Sequence, residues 1–85
     1  MRAQGPKLLS GRVKGLQRAI RLGNFKLAQR QRMGLAAYLR HLEEPKRNDL
    51  ALLFEVSGLW IRNVGDRHDT KRQTLWMIRR IMPRL

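Results

Sequence analysis

Apolar residues recur at helical spacing in four separate stretches of the chain. In the first stretch, the residues at spacing i, i+4, i+7 and i+11 are Leu9, Val13, Leu16 and Ile20. This spacing places them on one face of an α-helix. Gly23 and Asn24 follow, and both residue types tolerate the left-handed backbone conformation that ends many helices. The pattern predicts a basic helix or arm over residues 1–24.

The next two stretches predict a second helix over residues 25–44 and a third over residues 49–64. The apolar stripe of the second consists of Ala28, Leu35, Leu39 and Leu42. Pro45 ends this helix, because proline lacks a backbone donor and restricts the residue before it. The third helix opens with Asn48 or Asp49 as its N-cap and is apolar on two faces. Both faces need cover, so we expect this helix at the centre of the fold.

The C-terminal stretch predicts a fourth, basic helix over residues 70–82, after a polar loop at residues 65–69. Thr70 and Gln73 have the spacing of a capping box. The apolar stripe consists of Leu75, Ile78, Ile81 and Met82. No segment alternates as a strand does. We therefore expect one small all-α domain over residues 1–85, with three to four short helices around the central apolar helix and an extended basic N-terminal arm.

Positive charge is concentrated towards both ends of the sequence. The chain carries 19 Lys and Arg against six Asp and Glu, a formal net charge of +13 at pH 7. Residues 1–42 hold ten basic residues and no acid, and residues 43–69 hold all six acids. Residues 70–85 hold five further basic residues. Such a chain repels itself until a polyanion neutralises it, so we expect complete folding only within an assembly.

This charge distribution indicates a nucleic-acid partner. Fourteen of the 19 basic residues are Arg, whose planar guanidinium pairs with phosphate and stacks on bases. A stretch of 42 residues without an acid is not typical of an ordinary solvated surface. The predicted phosphate contacts are Arg12, Lys14, Arg18, Arg21, Lys26, Arg30 and Arg32, with Arg72, Arg79 and Arg80 as a second group.

Aromatic and apolar residues are expected to serve mainly in packing. The residues predicted to form the core or a protein interface are Leu53, Phe54, Trp60 and Ile61. Trp76 has basic neighbours and can stack on an unpaired base, but a tryptophan beside Leu75 on an amphipathic helix more often packs inward. No RNA-recognition motif is visible, and the loop at residues 65–69 is too long for a helix-turn-helix. We therefore expect contacts to backbone and shape rather than base-specific reading.

Enzyme chemistry has little support in the sequence. The chain has no cysteine, and its two histidines, His41 and His68, lie in different predicted elements without metal-ligand spacing. Asp66, His68 and Asp69 share one loop, which is better explained as a polar turn before a helix cap. We expect no catalysis, cofactor, metal or small-molecule substrate. The longest apolar run, Leu50–Phe54, is far shorter than the roughly 20 residues of a membrane span.

In composition and helical pattern, the chain resembles the small basic helical proteins of ribosomes, especially mitochondrial ones. The shared features are short length, abundant Arg and the absence of cysteine, and no family motif contributes. The resemblance implies a structural role, with rRNA bound by the basic helices and neighbouring proteins bound by the helix at 49–64. Residues 1–30 are amphipathic, rich in Arg and free of acid, as in mitochondrial transit segments. We expect the mitochondrial matrix, with the bacterial cytoplasm as the alternative.

Three other classes of protein fit the same features. A DNA-binding protein of phage or nucleoid type would also contact phosphates, and would dimerise through the apolar helix. A basic accessory subunit of a mitochondrial membrane complex would bind a cardiolipin-rich surface. A small interaction protein would use the apolar helix to bind a partner, and its charge would be incidental.

Overall fold

The computed structural model describes residues 5–85, with side chains from residue 8 onward. This part of the chain is mainly helical and contains no strand, which confirms the predicted all-α class. Its α-helices are α1 (Gly5–Leu22), α2 (Phe25–Leu39), α3 (Lys46–Arg62) and α4 (Arg67–Ile81). Short 3-10 helices follow α3 at Val64–Asp66 and α4 at Met82–Arg84.

The four helices form two helical hairpins that pack against each other. α1 packs mainly on α2, and α3 packs mainly on α4. The hairpins are joined through contacts of α2 with α3 and of α4 with α1. The resulting molecule is elongated, with extents of 43 × 22 × 19 Å.

The buried face of α1 is the one that the sequence predicts. Its buried residues are Leu9, Val13, Leu16, Ala19 and Ile20. Because this stripe lies in the core, α1 is packed on the rest of the protein from Leu9 onward, and the expectation of an extended arm was wrong for that part. Residues 1–4 of that predicted arm lie outside the described residues.

A two-residue link ends α1 and starts α2, as predicted at Gly23 and Asn24. Gly23 has a φ of +70°, which a residue with a Cβ rarely adopts. Its N–H donates to the Ile20 carbonyl, and the N–H of Asn24 donates to the Ala19 carbonyl, the pair of bonds that defines a Schellman motif. The Asn24 side chain in turn accepts a hydrogen bond from the N–H of Leu27 at 3.0 Å. The link therefore satisfies both helix ends.

The second and third helices differ from the prediction at the ends that face each other. α2 ends at Leu39 instead of residue 44, which leaves Glu43 and Glu44 outside its negative C-terminal end. Glu44 instead pairs with Arg47, with 3.3 Å between Oε1 and Nη2. α3 begins at Lys46, after Pro45 as its N-cap residue, so the predicted caps Asn48 and Asp49 lie within the helix. Proline suits a helix start because its fixed φ is close to helical.

The fourth helix begins a turn earlier than predicted, at Arg67. The N–H of Asp66 donates to the Asn63 side chain at 3.3 Å within a 3-10 turn, so the chain reverses at residues 63–66. The predicted capping box is wrong, because Thr70 lies inside the helix and its hydroxyl donates to the Asp66 carbonyl. Residues 63–66 are short enough for a helix-turn-helix connection, so the length argument against that motif no longer applies.

The buried faces of α3 and α4 combine apolar residues with small polar ones. The buried residues are Leu50, Leu53, Ser57, Gly58 and Trp60 of α3 and Thr70, Thr74, Ile78 and Ile81 of α4. The hydroxyls of Ser57 and Thr74 donate to carbonyls one turn back, at 2.6 and 2.7 Å, so neither is left unpaired. On the other face of α3, Leu52 and Leu59 stay exposed. The described chain therefore covers only one of the two apolar faces.

Candidate nucleic-acid interface

The basic residues predicted on α1 lie on its solvent side. Lys14, Arg18 and Arg21 are exposed, and their spacing of four and three residues puts them on one face, away from the buried stripe. Arg12 is also exposed, and its guanidinium lies beside Gly34 of α2, where a Cβ would come within 3.1 Å of Nη1. The outer surface of α1 therefore presents closely spaced positive charges.

The exposed face of α2 continues this basic surface. Lys26 and Arg30 are exposed and one helical turn apart. Among the described residues, the ion pairs are Arg47 with Glu44 and Arg84 with Asp49. From residue 8 onward, where the structure describes side chains, the exposed Lys and Arg of α1 and α2 therefore have no acidic partner, and their charges are available to an external anion.

Lys71 connects the two predicted groups of basic residues. Its Nζ donates a hydrogen bond to the carbonyl oxygen of Arg21 at 3.4 Å. An ammonium at this position complements the negative C-terminal end of α1. The contact places the last turn of α1 beside the first turns of α4, so Arg21 and Arg72 belong to neighbouring parts of the surface.

The outer face of α4 carries an exposed tryptophan among arginines. Trp76 is 56% exposed, although its position beside Leu75 favoured an inward-facing side chain. Arg72 and Arg80 lie one turn before and after it on the same face, and the guanidinium of Arg80 lies 4.8 Å from the ring centroid. The expectation of inward packing was wrong because the buried stripe runs through Thr70 and Thr74. The i, i+4, i+8 spacing of these threonines with Ile78 was the sequence signal for this stripe.

A shallow groove of about 780 Å³ runs along the same face of α4. Its lining residues are Asp66, Asp69, Thr70, Arg72, Gln73, Leu75, Trp76 and Arg79. The carboxylates stand towards the start of α4, and the guanidiniums stand one to three turns further along. The groove therefore offers a flat aromatic surface, two carboxylates and two guanidiniums.

Arg32 differs from the other predicted phosphate ligands. Its Nη2 donates to the carbonyl oxygen of Phe54 at 2.8 Å, and its guanidinium lies 5.3 Å from the centroid of that ring. Gly58 makes room for it, because a Cβ there would lie 2.9 Å from Nη2. Burial, and secondarily repulsion from Arg62, lowers the pKa of Arg32 from its usual value. This arginine joins α2 to α3. Its guanidinium is therefore less available to a phosphate than the exposed guanidinium of Arg30.

Arg67 is a second internal arginine, and the sequence analysis did not single it out. Its Nε donates to the Trp60 carbonyl at 3.2 Å, and its Nη2 donates to the Ile61 carbonyl at 2.9 Å. Its guanidinium lies 3.7 Å from the centroid of the Phe25 ring, which in turn lies 4.5 Å from the Trp60 ring. The three side chains hold together the start of α2, the end of α3 and the start of α4.

The residues predicted for the core or a protein interface lie on the inner side of α3. Leu53 and Trp60 are buried, and Phe54 and Ile61 are partly buried against the core cluster. The sequence had not distinguished between these two roles. In the described chain, these four side chains pack within the protein.

Other kinds of site have little basis in the described residues. Within residues 5–85, no three His, Cys, Asp or Glu side chains converge as metal ligands would, including those of Asp66, His68 and Asp69. None of the helices described has the length and apolar character needed to cross a bilayer. No protein family, curated protein or solved structure was found that matches this chain.

Proposed function

We propose that this protein is a structural RNA-binding component of a ribonucleoprotein, most simply a ribosomal protein. The observation that carries the proposal is the exposed basic surface of α1 and α2, whose Lys and Arg have no acidic partner among the described residues. Guanidiniums arranged on helical faces bind phosphates and release the counterions condensed on them. No catalytic role is part of the proposal.

The contact with neighbouring proteins is proposed at the outer face of α3. Leu53 and Trp60 are occupied within the core, whereas Leu52 and Leu59 are exposed and lie two turns apart. Val56, partly buried, lies between them on the same face. This stripe carries less positive charge than α1 and α2, so it suits a protein neighbour better than RNA.

Complete folding is proposed to depend on the bound polyanion. A net charge of +13 on 85 residues opposes compaction, and a chain of this length buries only somewhat over 60% of its unfolded surface. Helix content measured by circular dichroism should therefore rise when RNA or sulfate is added at low ionic strength. Full, cooperative helix formation without any anion would contradict this part of the proposal.

A mitochondrial location is proposed from the N-terminal sequence. Residues 1–30 contain no acid and are rich in Arg, as in matrix-targeting segments. In α1, the basic residues Lys14, Arg18 and Arg21 lie opposite the apolar stripe. A fluorescent protein fused behind residues 1–30 should enter mitochondria, and a diffuse cytosolic signal would contradict this location.

The central experiment compares binding of rRNA fragments, duplex DNA and anionic vesicles over a salt series. If about six to ten cations contact phosphates, RNA affinity should fall by about 10³–10⁵-fold between roughly 50 and 200 mM salt. Tighter binding to DNA would favour the phage or nucleoid class, and tighter binding to vesicles would favour the membrane-complex class. Absence of RNA binding at low salt would refute the proposed function.

Two triple variants with equal charge changes locate the interface. The test variant replaces Arg12, Arg18 and Arg21 with Gln, and the control replaces Arg47, Arg62 and Arg84 with Gln. The test variant should lower RNA affinity and reduce the salt slope by about three, since each phosphate contact contributes about one unit. The control should retain most of the slope. Equal losses in both variants would show that binding depends on net charge alone.

A further inference from the structure

The side chain of Trp76 contributes little to the packing of the core. Its side chain is 56% exposed, whereas Trp60 is 1% exposed and stacks against Phe25. An indole has one of the largest apolar surfaces of any side chain, and most proteins bury it. The exposed position of Trp76 therefore leaves an aromatic surface available to a partner.

The surroundings of this indole are mostly cationic. Arg80 lies over the ring at 4.8 Å but does not line the groove, whereas Trp76 does. Arg80 covers part of the indole, and 56% of Trp76 stays exposed beside it. Arg72 and Arg79 line the groove one turn before and one turn after Trp76. A flat ring with guanidiniums on either side matches a nucleobase flanked by phosphates.

The acidic part of the groove disfavours one orientation of a nucleotide. Asp66 and Asp69 line the groove towards the start of α4. Carboxylates repel phosphate and accept hydrogen bonds from the N–H groups of bases. A nucleotide would therefore direct its phosphates towards Arg72 and Arg79, with base edges closer to the carboxylates.

We propose that Trp76 stacks on an unpaired nucleobase and that Arg72 and Arg79 hold the phosphates beside it. This inference rests on the proposed function and narrows it, because α4 would bind single-stranded RNA while α1 and α2 bind phosphates of any RNA. A duplex keeps its bases stacked on one another and offers no free base face. Trp76 therefore contributes only to single-strand binding.

The test measures the affinity of the full chain for a short oligouridine and for a short RNA duplex. Trp76→Leu should weaken oligouridine binding by between about fivefold and a hundredfold, the contribution of one stacked base, and change duplex binding by less than about twofold. Trp76→Phe should lose less, because a phenyl ring still stacks. The matched control Arg30→Gln should weaken binding to both RNAs alike, since it removes a phosphate contact only.

Fluorescence provides a second readout on the same samples. Oligouridine should quench the emission of the exposed Trp76, and this quenching should disappear in Trp76→Leu, where only the buried Trp60 emits. Unchanged thermal unfolding of the variant would show that the fold is intact, as expected for an exposed side chain.

Each outcome separates this inference from the proposed function. If the wild-type chain binds both RNAs and Trp76→Leu binds them equally well, the stacking inference is overturned and the proposed function stands. If the wild-type chain binds neither RNA, both fail. If Trp76→Leu loses affinity only for phosphatidylglycerol vesicles, the indole faces a membrane surface and the inference is overturned.

Discussion

Replacing Arg67 with methionine removes the contacts that join three helix ends. Methionine keeps an unbranched apolar chain of similar length against Phe25, so packing changes little. The carbonyls of Trp60 and Ile61 lose the two N–H donors that reach them at 3.2 and 2.9 Å. The cation 3.7 Å from the Phe25 ring centroid is also lost. The variant therefore isolates the guanidinium from the rest of the side chain.

The expected loss is large compared with the stability of a small domain. Each of the two hydrogen bonds contributes about 0.5–1.5 kcal/mol, the range of a typical hydrogen bond, and the cation–π contact contributes about 1 kcal/mol. The free energy of unfolding should fall by about 2–4 kcal/mol, out of a total of roughly 4–13 kcal/mol for a chain of this size. The melting temperature should fall by roughly 10–25 °C.

Urea unfolding followed by circular dichroism, in sulfate buffer that screens the charge, measures this loss. Arg72→Met is the control, because it removes the same charge from an exposed position of the same helix and should change stability by less than about 0.5 kcal/mol. Arg67→Lys should recover less than half of the loss, since an ammonium lacks the planar fork. A difference below about 1 kcal/mol between Arg67→Met and Arg72→Met would refute the reasoning.

Further substitutions test the buried face of α3, the link after α1 and the internal Arg32. Leu53→Ala should lower the free energy of unfolding by about 2–5 kcal/mol in the same assay, because Leu53 is fully buried. The control Leu52→Ala should lower it by less than about 1 kcal/mol, because Leu52 is exposed. Equal losses would contradict the assigned faces of α3. Gly23→Ala should cost about 1–2 kcal/mol in thermal unfolding because of its positive φ, and an unchanged melting temperature would argue against the Schellman link. Arg32→Met should change the free energy of unfolding by less than about 1 kcal/mol, because the lost hydrogen bond is offset by removal of a buried charge and of its repulsion from Arg62. The RNA affinity of this variant should fall less than that of Arg30→Gln.

Helix positions could be predicted where one apolar stripe dominates the sequence. The stripe from Leu9 to Ile20 is buried as predicted, and Gly23 and Asn24 form the expected link. The ends of α2 and α4 were missed because they depend on interactions that periodicity does not record. Glu44 lies beyond the end of α2 and pairs with Arg47 of α3. The 3-10 turn at Val64–Asp66 leads directly into α4, which therefore begins before the predicted Thr70. Tertiary contacts override local signals at such positions.

The roles of individual arginines could not be predicted from charge alone. Arg30 and Arg32 are two residues apart, so they point to different sides of α2, one to solvent and one to α3. Only the position of the partner helix decides which of the two is internal. The apolar stripe predicted for α4 lies on the buried face, since Ile78 and Ile81 are buried and Leu75 and Met82 pack against the core. Trp76 was missed because its neighbour Leu75 was taken as a sign of inward packing, although adjacent residues of a helix point in different directions.

The contacts that join the helices differ between the two ends of the elongated bundle. At one end, Phe25, Trp60 and Arg67 connect three helices, and Lys71 adds the fourth. At the other end, Arg84 and Asp49 form an ion pair at 3.3 Å in which the Asp49 side chain is only 16% exposed, and residues 40–45 connect α2 to α3 without helical structure. Local opening should therefore begin at that second end, and amide hydrogens near residues 40–48 should exchange with deuterium faster than those around Trp60. Such opening would separate the helix ends near residues 40–48 first and leave the contacts of Phe25, Trp60 and Arg67 in place.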